Sequence, residues 1–268
     1  FENMGQSWSM PMVPFLKGHS ETPPVVLVGG GYDTCEDANA ASPACTGRKG
    51  TGVYVIDANS GARLAHLPTT GSVPADIALA DANNDGSVDF AYAATTTADI
   101  YRIDFSTATY EPRALGNWAI RKVAYTAGAG RKFLYPPALL QAGAKMYVAL
   151  GSGDREHPLN SHYPLTTPVL NRFYVYLDDL SAAANAIVTP INLDSDTRMQ
   201  NYSASSAQTC GTGSVTPNSG LKGWFMDLTG DSSSSPRPGE QTVTSALIAA
   251  GMVAFNTNRA LTGSVNSC

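Results

Sequence analysis

The chain has 268 residues, of which 43% are hydrophobic and only 15% charged, with a formal net charge of −5 and a pI of about 5.3. That length admits one large domain or two ordinary ones, with ample apolar residues for a core. The acidic balance, with no Lys/Arg cluster, argues against a nucleic-acid partner, and no apolar run approaches the ~18 residues that span a bilayer.

Low charge and abundant Gly, Ser, Thr and Ala suit an extracellular β-protein. No signal peptide is visible, and the abrupt ends at Phe1 and Cys268 read as a piece of a longer, exported precursor.

In chain order, the first predicted strand covers residues 25–28 and runs into the triplet Gly29, Gly30 and Gly31. A dinucleotide loop needs a helix after such a triplet. The sequence continues YDTCEDANA, so close strand packing is the better reading. An insertion over 35–52 carries Cys35 and Cys45, and a bridge there closes a short loop. Cys210 and Cys268 would then form a second bridge, although four cysteines allow three pairings. Zinc is disfavoured because there is no C-x₂-C and no nearby His pair.

Further strands are predicted over 53–57, 77–80, 90–95, 100–105, 145–150, 172–177, 224–228, 241–247 and 252–256. Only 181–186 and 245–250 look helical, and both are short. Residues 194–220 read as an insertion and 231–239 as a loop. His157 and His162, beside Asp154 and Glu156, match no ligand spacing and read as a polar loop. Trp8, Trp118 and Trp224 read as packing residues.

An internal repeat narrows the fold class. VYVIDANSG, IYRIDFSTA and FYVYLDDLS each follow another strand, VVLVGGGYD, DFAYAATTT and MYVALGSGD. A recurring hairpin of this size is the signature of a β-propeller blade. The expected fold is all-β, a modified β-propeller over residues 1–268, with a large β-sandwich as the alternative. Three or four blades are countable, so either degenerate blades go unseen or sequence absent here completes the ring.

The most chemically specific segment is DANNDGSVD, residues 81–89. Asp81, Asn83, Asp85 and Asp89 stand at loop positions one, three, five and nine, Ser87 offers its carbonyl at position seven, and Gly86 permits the sharp turn. This is the oxygen-donor pattern of a Ca²⁺ loop. The loop departs from an EF-hand, because position twelve is Tyr92 and the flanks are strands. Carboxylates about 4–5 Å apart repel by roughly 3–4 kcal/mol per pair at an effective dielectric of ~20, so a cation would order the loop. The competing reading is an Asx-rich surface turn.

The ordered set GGGYDTCEDA, GVYVIDANSG, the DANNDGSVD loop and FAYAATTTADIYRIDFS resembles the carboxy-terminal propeller of the PilY family, type IV pilus biogenesis factors and tip adhesins. Downstream, GSGDREHP, NRFYVY and GEQTVTSAL are similar to later blades of that family. The resemblance runs from about Trp8 to Cys268. It departs where the family often has an Asp-Gly turn and this chain reads ATTTAD.

The resemblance implies a non-enzymatic propeller holding one Ca²⁺ through Asp81, Asn83, Asp85, Asp89 and the Ser87 carbonyl. It further implies export to the cell surface or pilus tip in association with the outer membrane. The implied role is in pilus biogenesis, in calcium control of extension against retraction, and in adhesion. Expected partners are pilin or other pilus-tip proteins and a host or abiotic surface. The alternatives are a quinoprotein-like dehydrogenase propeller binding PQQ and calcium, and an integrin-like module with a structural calcium.

Overall fold

A computed structural model describes residues 1–17, 19, 24–167, 169–182, 189–203, 220–229 and 239–259. Cys210, Cys268 and most of the expected 181–186 helix, 194–220 insertion and 231–239 loop lie outside the described residues. The strands are β1 (Val25–Gly29), β2 (Thr51–Asp57), β3 (Arg63–Ser72), β4 (Ala78–Ala80), β5 (Phe90–Ala94), β6 (Asp99–Asp104), β7 (Ala119–Tyr125) and β8 (Ala138–Ala142). They continue with β9 (Lys145–Gly151), β10 (Arg172–Asp179), β11 (Ile191–Asn192), β12 (Met199–Asn201), β13 (Gly223–Asp227), β14 (Gln241–Thr242), β15 (Leu247–Ala249), β16 (Met252–Ala254) and β17 (Thr257–Asn258). The one α-helix among the described residues is a single turn, Tyr163–Thr166.

Three antiparallel sheets follow one another along the chain: β1-β2-β3, β4-β5-β6-β7 and β8-β9-β10-β13. Short strands from later in the sequence extend the second and third in parallel, β11 beside β7 and β12 beside β13. The repeated hairpin recurs in all three sheets as β1-β2, β5-β6 and β9-β10. Each four-stranded meander is a blade, no sheet among the described residues closes into a barrel, and the arrangement is a modified, propeller-like all-β fold.

Period-two alternation builds the core between blades. On β5, Phe90, Tyr92 and Ala94 face the third sheet, while Ala91 and Ala93 face the first. On β10, Tyr174 and Tyr176 meet the second sheet, while Phe173 and Val175 turn toward Ile248 and Val253 of the β15-β16 hairpin. This face also corrects the helical reading of 245–250, because Leu247–Ala249 is a strand. Ala250 (φ 50°) and Gly251 (φ 76°) make the two-residue turn into β16. Six residues are too few to nucleate a helix against that pairing.

The glycine triplet packs as expected. A Cβ on Gly30 would lie 2.4 Å from the Gly50 carbonyl oxygen, and one on Gly29 would lie 2.5 Å from that of Val73. Trp118 is buried and Trp224 packs beside Phe173, but Trp8 is exposed, because the amino-terminal segment presents it outward. The Cys35–Cys45 disulfide is present. Replacing both cysteines by serine is expected to lower stability by about 2–3 kcal/mol, read as a shift of the urea midpoint. No loss would show that the loop is held by its other contacts alone.

The β9-β10 register places Lys145 directly opposite Asp179, and their side chains pair. Burial raises the Asp179 pKa, but the Lys145 ammonium and the Ser181 hydroxyl and N–H outweigh it and push it down to about 2. A depressed carboxylate contributes stability that is present above its ordinary value of 3.8 and lost as pH falls toward 2. Lys145→Ala should therefore flatten the decline in melting temperature between about pH 4 and 2, and an unchanged slope would count against the pair.

Candidate metal centre

The loop forms because β4 and β5 pair antiparallel with Ala80 opposite Phe90, which leaves 81–89 to reverse the chain. Asn84 (φ 59°) and Gly86 (φ 89°) take the left-handed conformations that the curl needs. Asp81 accepts hydrogen bonds from the N–H groups of Asp85 (3.2 Å) and Gly86 (2.8 Å). Asn83 Oδ1 accepts from Asp85 N–H (3.1 Å), and Asp85 Oδ1 accepts from Ser87 N–H (2.9 Å). Asp89 Oδ2 accepts from Ala82 N–H (2.9 Å) and closes the loop.

Asn83 and Asp85 are exposed and Asp81 is half-buried, whereas Ser87 and Asp89 are buried. The Ser87 hydroxyl faces away from the loop, accepting from Lys17 N–H at 2.9 Å. Its carbonyl remains the part available to a cation. The Val88 N–H donates to the Phe15 carbonyl (2.9 Å), so the segment before Lys17 is sewn to the loop. Lys17 Nζ stands 3.7 Å from Asp85 Oδ2.

Electrostatics divide the carboxylates. Burial raises the Asp89 pKa, against the Ala82 N–H bond, and the neighbouring charges of Asp85 and Asp81 raise it further. The Ser87 N–H, the Asn83 amide and Lys17 lower that of Asp85. A divalent cation would relieve the strain on Asp89, and carboxylate, amide and carbonyl oxygens are the donors that Ca²⁺ prefers. Each bonded oxygen has a second lone pair, so the N–H contacts do not exhaust the donor set. The residues therefore fit calcium in kind. Among the described residues, the trio with ligand atoms all within 4.8 Å of one another is Cys35, Glu36 and Cys45, and its two cysteines are consumed in the disulfide.

Sequence reasoning missed two features. Lys17 lies far from Asp85 in sequence, and no periodicity links them. The segment around His157 is the expected polar loop, exposed at Arg155, Glu156 and 158–161, but two of its residues turn inward: Asp154 pairs with His157 and with Lys132, which in turn pairs with Glu36. Among the described residues, no helix is long and apolar enough to cross a membrane.

No family model matches the sequence, and no curated protein matches it. Among solved structures, the C-terminal domain of PilY1 from Pseudomonas aeruginosa matches 96% of this chain with a TM-score of 0.69 and 17% identity. The chain has the fold of the PilY1 C-terminal domain. It spans 57% of the length of that PilY1 chain. The resemblance expected from the sequence is met at the level of fold, and the PilY1-like architecture carries the 81–89 loop at a blade edge between β4 and β5.

Proposed function

We propose that the chain is a calcium-binding, non-enzymatic propeller domain of a type IV pilus tip or assembly protein, exported to the cell surface. The observation that carries this reading is the PilY1-like fold over 96% of the chain. The loop chemistry supports the calcium part. Asp81, Asn83, Asp85 and Asp89, with the Ser87 carbonyl, are the residues that would hold the ion.

Bound calcium would neutralise the buried Asp89 and its acidic neighbours. It would also stiffen the edge of the second blade, to which the 15–17 segment is bonded. The loop would then act as a switch, presenting an ordered face to pilin or another tip protein only when occupied. The test is co-sedimentation of the purified chain with isolated type IV pili, in calcium and in chelator. Binding in calcium that is lost in chelator is the expected result. Equal sedimentation in both conditions overturns the switch, and none in either overturns the pilus assignment.

A further inference from the structure

A second cluster of ionisable groups lies far from the loop, where the disulfide-closed insertion meets the third blade. Lys132, in the β7–β8 connection, is 2% exposed. Its Nζ stands 2.8 Å from Asp154 Oδ2, just beyond β9, and 2.9 Å from Glu36 Oε2, on the short 3-10 turn Thr34–Asp37. Asp154 and Glu36 are each 1% exposed. The Lys132 carbonyl accepts from Gly153 N–H (3.0 Å), which fixes the two backbones side by side.

The two oxygens of Asp154 are unequal. Oδ2 receives Lys132, the Nδ1 of His157 (2.9 Å) and the Tyr163 hydroxyl. Among the described residues, buried Oδ1 has no hydrogen-bond partner. An ordinary buried salt bridge spreads its donors over both carboxylate oxygens, and an unpartnered buried oxygen is costly. Burying the ammonium and carboxylate together carries a desolvation penalty that only good pairing offsets. Forming a neutral amide between them removes both charges. It leaves Glu36 balanced by its ion-pair partner Arg48.

We propose that Lys132 and Asp154 condense to an intramolecular isopeptide bond, with Glu36 as the general acid–base. An ammonium proton of Lys132 passes by way of Glu36 to Asp154 Oδ1, leaving a neutral amine beside a neutral carboxylic acid. The nitrogen lone pair attacks Cγ, the C–N bond forms, and the C=O electron pair moves onto Oδ2. His157 and Tyr163 already donate to that oxygen and stabilise the oxyanion. Burial, then the Asp154 charge, raise the Tyr163 pKa and keep its hydroxyl protonated for this role. Glu36 then takes a proton from the nitrogen and delivers it to the Oδ1 hydroxyl. The C–Oδ1 bond breaks as the oxyanion collapses, and one water leaves. One ammonium and one carboxylate become one amide and one water, so no oxidant or co-reactant is needed. The product staples the start of the β8-β9 hairpin to its end.

Intact-mass measurement of the purified full chain, after disulfide reduction, tests this directly. The expected mass is about 18 Da below that of the sequence, one water, with a branched proteolytic fragment joining Lys132 to Asp154. Glu36→Gln, which retains shape, is expected to keep the full mass. A wild-type chain of full sequence mass overturns the proposal whether or not any variant folds. A water loss mapped to a succinimide elsewhere in the chain overturns it equally. A Glu36→Gln chain that still loses water removes Glu36 from the mechanism.

Discussion

Arg102→Met is expected to destabilise the protein by about 3–5 kcal/mol, the range for breaking one side of a buried ion pair. Arg102 is fully buried between the second and third blades. Its Nε bonds Asp104 (2.7 Å), its Nη1 bonds Asp178 (2.8 Å), and its Nη2 bonds the Ala182 carbonyl (2.8 Å). Tyr92 and Tyr176 add hydroxyl donors to Asp178 at 2.8 and 3.2 Å. Methionine fills much of the volume but removes the guanidinium that bonds both buried carboxylates, leaving Asp178 without its ion-pair partner and Asp104 with the weaker influence of Arg121. Burial already raises the Asp104 pKa, so the variant should regain part of its stability as the medium is acidified and that group protonates. Arg102→Lys should fall between the two, because an ammonium keeps the charge and loses the fork. Urea unfolding reads all three, and a loss under about 1 kcal/mol for Arg102→Met would mean the blades are joined by apolar packing alone.

The second large effect is the loss of the calcium response in Asp85→Ala. Calcium at a hundred times its dissociation constant stabilises the folded state by about 2.7 kcal/mol. For a chain of this size that corresponds to a rise of roughly 5–11 °C in melting temperature. Asp85 is exposed, and within the loop its carboxylate accepts only the Ser87 N–H and the exposed Asn83 side-chain amide, so its removal should leave the calcium-free protein nearly as stable as before. Ser87→Ala is the control, because the proposed ligand there is a carbonyl. It should keep the calcium shift while loosening the 15–17 segment that the hydroxyl holds. An Asp85→Ala chain with the full calcium shift would falsify the loop as the metal site. Metal analysis by mass spectrometry, with and without chelator, identifies the ion independently.

Much of the fold was legible in local pattern. The alternation in residues 53–57, 90–95 and 145–150 marks β2, β5 and β9 to within two residues, and the repeated hairpin marks the middle of each blade. β3, β7 and β8 were not read. In β7, AIRKVAY mixes charged and apolar residues because its Lys122 and Arg121 sit half-buried beside carboxylates and a ring of the paired strand β6: Asp99 and Tyr101 for Lys122, and Asp104 for Arg121. β8 belongs to a blade whose pairing is set by β9 rather than by its own composition. The short β11 and β12 exist only as parallel additions to sheets built elsewhere, so no local signal marks them.

The same division holds for chemistry. The order of oxygen-bearing residues in 81–89, and the glycine that lets them curl, belong to the sequence, because a loop's ligand register is set by adjacent positions. So do the all-β class and the short Cys35–Cys45 bridge. The tertiary structure alone brought Lys17 to Asp85, Arg102 to Asp178, and Lys132 between Glu36 and Asp154. Those partners lie from 22 to 96 residues apart. Only the packing of one blade against the next removes the Arg102 and Lys132 clusters from water and makes each of their charges depend on its neighbour.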